Sequence, residues 1–129
     1  MAKQVIIPDT MRRTYERFHF APAVRHGDRI YCSGQIGLDD SGRPIEDPEA
    51  QFKRAFEDVR EVLEAAGVGL DAIVEMTTFH VDMAQHLQTF MAVKDRFISE
   101  PYPAWTAIGV SALAVPGALV EIKVIAAAE

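Results

Sequence analysis

The sequence predicts an α+β layer fold, with helices gathered on one face of a sheet. Three observations predict it. Apolar residues recur at spacings of three and four in two segments, as they do in helices that bury one side. Around those segments lie short runs rich in Val, Ile, Thr and aromatic residues, bounded by Gly and Pro, as strands are. The order that results, βββαβαββ, has few helices among many strands, which suits helices packed on one side of a sheet.

Taken in order, Gln4-Val5-Ile6-Ile7 is a short apolar strand ended by Pro8-Asp9. Phe20–Arg25 and Arg29–Ile36 are two extended runs, and His26-Gly27-Asp28 between them is a tight hairpin turn. Leu38–Pro48 is a polar loop. Its Asp39-Asp40-Ser41-Gly42 reads as a turn and not a calcium loop, since the closing glutamate is missing. Asp47-Pro48 opens the first helix, with Asp as N-cap and Pro at the first helical position. Phe52, Ala55, Phe56, Val59, Val62, Leu63 and Ala66 form its stripe, and Gly67 stops it. Ile73–Val81 is a strand. Asp82-Met83-Ala84-Gln85 has a capping-box pattern with Asp in the cap place. Leu87, Phe90, Met91, Phe97 and Ile98 give the second helix its stripe, and Pro101 and Pro103 end it. Trp105–Leu113 and Ala118–Ala127 are two more strands, joined through Pro116-Gly117. In the last strand Val120, Ile122 and Val124 alternate with Glu121 and Lys123, yet Leu119 and Ile125 fall in the register of the charged pair. Both faces are therefore partly apolar, which predicts an oligomer that covers the second one.

The chain has 129 residues and reads as one domain over 1–129. At this length about two thirds of the unfolded surface is buried on folding, enough for a core without disulfides. No apolar stretch reaches the roughly 18 residues of a membrane span, and the N-terminus has no secretory pattern. One cysteine, Cys32, cannot form an internal disulfide, which fits a reducing, cytoplasmic setting. His19, His26, His80 and His86 are scattered, without zinc spacing. A net charge of −6 argues against a phosphate-binding surface, hence against nucleic acid. Arg12, Arg13 and Arg17 read as a solvated turn.

Two segments resemble the RidA/YjgF (Rid) family. Arg29-Ile30-Tyr31-Cys32-Ser33-Gly34-Gln35-Ile36 is similar to its Ser-Gly-Gln strand motif. Pro103-Ala104-Trp105-Thr106-Ala107-Ile108, followed by Leu119-Val120-Glu121-Ile122, is similar to its C-terminal signature, which opens Pro-Ala-Arg. Glu64-Ala65-Ala66-Gly67 and the Thr77-Thr78 strand agree in place. The form Pro-x-Trp-Thr-Ala-x-Gly-Val resembles the YjgH-type subgroup, which lacks the catalytic arginine. The resemblance implies a chorismate-mutase-like (YjgF-like) subunit with two helices on one face of a mixed sheet. It also implies a homotrimer with a central barrel-like core and small-molecule clefts at subunit interfaces. The activity implied is cofactor-free hydrolysis of enamines and imines, such as 2-aminoacrylate, to 2-oxo acids and ammonia.

That chemistry needs a held substrate carboxylate, a water aimed at the C=N carbon and a proton shuttle. The resemblance makes Glu121 the water-positioning catalytic residue and Ser33 and Gly34 cleft-lining residues. Phe20 stands at a tyrosine place, and Ala107 where deaminases often carry Cys. Trp105 stands where the carboxylate-binding Arg would be. An indole offers one N–H and no charge, and loss of such a contact costs about 1.5–3 kcal/mol. The usual 2-imino acid substrates are thereby disfavoured. A neutral or aromatic ligand stacked on Trp105, or a cation over it, becomes the expectation. Trp105 equally reads as a residue that fills the space an Arg would occupy, which makes the protein a non-catalytic metabolite-binding or regulatory trimer. Arg17 is the first candidate for a substitute cation, ahead of His80 and His86, although a solvated loop arginine is its more ordinary reading. Cys32 reads as inert packing.

Overall fold

The structure, a computed structural model, describes residues 2–128. Six strands form one sheet in the order β1-β2-β3-β6-β4-β5. They are β1 (Gln4–Ile6), β2 (Ala23–His26), β3 (Arg29–Cys32), β4 (Ile73–His80), β5 (Ala104–Gly109) and β6 (Val120–Ala127). Three α-helices accompany them: α1 (Arg12–Phe18), α2 (Pro48–Ala65) and α3 (Met83–Phe97). The sheet is mixed and open. Only β4 and β5 run parallel, linked by α3 as a crossover, and all other neighbours are antiparallel.

The hairpin turn is as the sequence predicts: His26 pairs with Arg29, and Gly27 takes a φ of +64° that suits glycine. α2 also begins and ends where expected. The Asp47 carboxylate accepts the Ala50 N–H at 2.9 Å. At the other end Gly67 N–H bonds Glu64 C=O and Val68 N–H bonds Leu63 C=O, the two bonds of a Schellman stop. The buried face of α2 carries Phe52, Phe56, Val59, Val62 and Leu63. Phe90 of α3 meets it with ring centroids 5.5 Å from both Phe52 and Phe56.

Several expectations are corrected. Arg12, Arg13 and Arg17 lie on a helix and not in a turn; α1 buries no residue, so it has no apolar stripe to betray it. Asp82 forms no capping box. It sits in the left-handed region (φ +54°), and its side chain makes no capping bond to the start of α3. A side-chain cap requires extended backbone at that place; here the backbone turns sharply from strand to helix instead. β3 ends at Cys32 and not Ile36: Ser33 N–H still bonds Pro22 C=O, its partner in the β2 register, but proline has no N–H to return, and pairing with the last strand resumes only at Gln35 with Ile122, one residue out of the Tyr31–Ile125 register. The two strands joined through Pro116-Gly117 are shorter than expected, β5 ending at Gly109 and not Leu113 and β6 starting at Val120 and not Ala118, and β4 lies between them in the sheet.

A polar residue that the periodicity does not single out ties the loops together. Gln51 is buried on α2. Its amide donates to Ile45 C=O at 2.9 Å and Gly117 C=O at 3.3 Å, and accepts Leu119 N–H at 2.7 Å. It thereby sets the entry of β6, the strand that carries Glu121. Among the described residues no helix is long and apolar enough to cross a membrane.

Candidate functional site

Strand register sorts the candidate residues by sheet face, because directly paired residues share a face. On the helix-covered face Val124, Met76 and Trp105 form one row, and Ile122, Thr78 and Ala107 the next. On the uncovered face Glu121, Phe79 and Ile108 form a row. Lys123, Thr77 and Thr106 form another, and Val5, Val24, Tyr31 and Ile125 a third. Val5, Tyr31 and Ile108 are 38%, 46% and 40% exposed, so this face is largely apolar, with Glu121, Lys123 and Glu75, the last paired with Ile125, among its charged members. The two-sided apolarity read from the last strand is therefore present.

Glu121 has a defined seat. A Cβ built on Gly34 would lie 2.5 Å from both Cγ and Cδ of Glu121 and closer still to Oε2. The Glu121 side chain thus lies against Gly34, and any side chain at that position would have to displace the carboxylate. Ser33, next to it, donates its hydroxyl to Ala21 C=O at 2.6 Å. That bond, with Ser33 N–H to Pro22 C=O at 2.9 Å, pins the segment carrying Phe20 beside β3. Phe20 itself is exposed. Ser33 is therefore a tether and not a free nucleophile. Phe20, Ser33, Gly34 and Glu121 are brought toward one end of β3 and β6.

Trp105 and Ala107 are not brought to that group within one chain, because their register puts them on the opposite face. The Trp105 indole N–H donates to Thr78 Oγ1 at 2.9 Å, and Thr78 Oγ1 lies 2.7 Å from His80 Nε2. The Lys94 ammonium stands 4.9 Å from the Trp105 ring centroid, and Phe90 packs at 6.1 Å. The ring face expected to receive a cationic ligand already carries the chain's own cation. A further cation there would be repelled.

Arg17 lies with its guanidinium over Phe18 of its own helix, 5.2 Å from the centroid, and makes no ion pair among the described residues. The cation beside Trp105 is Lys94, which the sequence reading did not name. Its signal was present: residues 87, 90, 94, 97 and 98 share one helical stripe, and Lys94 is the charged member. His86 packs its ring 6.5 Å from Phe52. His80 is fully buried, and desolvation lowers its pKa, so the ring is neutral at pH 7. Its Nδ1 has no hydrogen-bond partner among the described residues. Burial pushes the Cys32 thiol up to about 12, so it is inert packing as expected. Asp39 accepts from Ser41 N, Ser41 Oγ and Arg43 N, which makes its loop the expected turn. Among the described residues no group of three or more His, Cys, Asp or Glu could hold a metal ion.

The sequence pattern of the family described as Endoribonuclease L-PSP matches residues 11–128. The RutC family protein YjgH of Escherichia coli is 38% identical over 125 residues, which is 96% of this chain and 94% of that protein. The chain belongs to this family, the YjgF/RidA family. A solved structure of protein YjgH shares the fold with a TM-score of 0.90 and 36% identity, covering 98% of this chain and 97% of that one. RidA from the Antarctic bacterium Psychrobacter sp. PAMC 21119 gives a TM-score of 0.78 at 34% identity, covering 84% of this chain and 87% of that one. Among YjgF/RidA relatives, a protein of Dermatophagoides farinae named 2-iminobutanoate/2-iminopropanoate deaminase is 33% identical over 118 residues, 85% of this chain and 86% of that protein.

Proposed function

We propose that the chain is a cytoplasmic, cofactor-free hydrolase of imines that works as a homotrimer, with Glu121 as the catalytic residue. The observation that carries this reading is the seat of Glu121. A carboxylate lies across Gly34 on an exposed, mostly apolar face, which a second copy would dry on assembly. Phe20, Ser33 and Gly34 would border the cleft from the same copy, and Trp105 and Ala107 from the β5 edge of a neighbour. As the water oxygen adds to the C=N carbon, Glu121 accepts a water proton and passes it to nitrogen. Glu121 then takes the proton of the new hydroxyl and delivers it to nitrogen as the C–N bond breaks, so that ammonia and a carbonyl compound leave. An enamine enters the same path once its carbon is protonated to give the imine.

A related enzyme named for 2-iminobutanoate and 2-iminopropanoate supports the reaction class. The substrate here differs, because Trp105 carries no charge and its N–H is committed to Thr78. The same commitment favours a second reading, in which Trp105 is structural and the trimer binds a metabolite without turning it over.

One assay separates the two. Ammonia release is followed for 2-iminobutanoate and for an imine of the same skeleton without the carboxylate, using wild type, Glu121→Gln and Arg17→Ala. The enzyme reading expects turnover of the uncharged imine, a fall of about 100-fold or more in Glu121→Gln, and unchanged assembly by light scattering. A drop confined to 2-iminobutanoate in Arg17→Ala would make Arg17 the substitute cation. Absence of turnover on both imines selects the binding protein.

A further inference from the structure

We propose that Gln51 is the positioning residue of Glu121: from the buried face of α2 it holds in place the two segments whose contact seats the carboxylate. The proposal rests on the reading of Glu121 as the catalytic residue. The seat has two halves, Gly34 just after β3 and Glu121 on β6, and the ladder between those strands does not bring them together by itself. It runs from Arg29–Ala127 to Tyr31–Ile125, breaks, and resumes at Gln35–Ile122 one residue out of register. The resumed pair exchanges both of its backbone bonds at 2.9 Å. Gly34 falls inside that slip, against the Glu121 side chain. A slip interrupts the ladder locally, so its place has to be fixed by the chain on either side.

Gln51 fixes both sides. Beyond Gln35 the chain reaches Gly37, whose C=O accepts Ile45 N–H at 3.1 Å. A Cβ on Gly37 would overlap the Gln51 carbonyl oxygen, so this loop lies directly on the backbone of α2. The Gln51 side chain then donates to Ile45 C=O of the same loop at 2.9 Å. Ahead of β6 it donates to Gly117 C=O at 3.3 Å and accepts at 2.7 Å from the N–H of Leu119, which precedes Val120 and Glu121. One buried amide thus sets the spacing between the segment that carries Gly34 and the strand that carries Glu121. The task needs donors and an acceptor on one side chain of this length. Asn is a methylene short, Leu offers neither, and an ionised Glu would face two carbonyls. Spacing matters because a catalytic group displaced by about 1 Å can lose about 100-fold in rate.

Three measurements on the full chain test this. In a double-mutant cycle, Gly34→Ala should lower the melting temperature by several degrees in wild type, and by less than about half as much in Gln51→Leu, where the seat is already open. The NMR resonance of the Glu121 carboxyl carbon, assigned by its loss in Glu121→Gln, should move in Gln51→Leu. It should return toward the wild-type position in Gln51→Glu, both read at pH 5, where a buried carboxyl is protonated and again supplies a donor and an acceptor. For the uncharged imine, Gln51→Leu should lower kcat about 10- to 100-fold and leave KM within a few-fold of wild type. Gln51→Asn takes the place of Gln51→Leu throughout if the latter does not fold. Equal effects of Gly34→Ala in both backgrounds, a Glu121 resonance that stays where it was, or turnover with an unchanged kcat would each overturn the proposal. A wild type that turns over neither imine would remove the enzyme reading alone, because the cycle and the resonance still decide whether Gln51 holds the carboxylate.

Discussion

At the scale of single residues, Gly34 and Glu121 act as one unit. The glycine is needed for space, since its backbone is not in the left-handed region and the obstacle to a side chain is the carboxylate itself. Gly34→Ala should therefore push Glu121 off its seat. The expected cost is about 1–3 kcal/mol in urea unfolding, together with loss of any Glu121-dependent turnover. A variant as stable and as active as wild type would show that the carboxylate moves freely. The identity of these residues was readable in the sequence through the Ser-Gly-Gln and Leu-Val-Glu-Ile segments. Their contact was not, because it joins strands some ninety positions apart by packing and not by spacing. Trp105 is the converse case. Its place in the Pro-Ala-Trp segment, where the resemblance implies an arginine, was plain, but which way the indole faces is set by the parallel register of β4 and β5, which no local pattern encodes.

At the scale of elements, α2 was the most legible part because its signals are local: a cap, a proline, a stripe and a stop glycine. α1 was hidden because a helix with no buried face has no period to detect. Gln51 was hidden within a stripe that reads as apolar, yet three backbone groups of two loops depend on it. Gln51→Leu keeps the volume and strands those groups. It should cost about 2–4 kcal/mol, read as a lower urea midpoint, and should loosen the loops before the helices in hydrogen exchange.

α2 also carries a pH-dependent element. Desolvation raises Asp58 to about 6, against the opposing pull of Arg54 at 3.3 Å. Its folded pKa lies above the unfolded value, so the protonated form is favoured in the folded state. The stabilisation is complete below about pH 4 and is lost as pH rises through about 6. Asp58→Asn should therefore gain stability over wild type at pH 7.5, by about 1–2 kcal/mol after allowing for the lost Arg54 pair. Wild type should recover about half of that deficit at pH 5 and nearly all of it by pH 4. His80 works in the opposite sense, since its lowered pKa costs stability as pH falls. The difference between the two chains at each pH isolates Asp58, and a difference that does not change with pH would refute the assignment.

At the scale of the whole molecule, the row Val5, Val24, Tyr31 and Ile125 is hard to reconcile with a solitary chain. Ile125→Asp places a charge in the middle of that row. It should convert a trimer to smaller species by light scattering while helix content, set on the other face, is kept. A wild-type chain that is monomeric at micromolar concentration would remove the basis for an interfacial cleft. The uncovered apolar face was legible in the sequence as an anomaly of one strand. The number of copies in the proposed assembly was not, because it depends on how sheet twist and edge shape close a ring.

β5 and β1 end the sheet, and each leaves one row of backbone groups without a strand beside it. A newly synthesised copy therefore carries two sticky borders and a greasy flank until siblings arrive. Under the assembly proposed above, molecules are lost chiefly in the interval between leaving the ribosome and meeting a companion. Soluble yield should then follow the pace of that encounter more closely than it follows melting temperature.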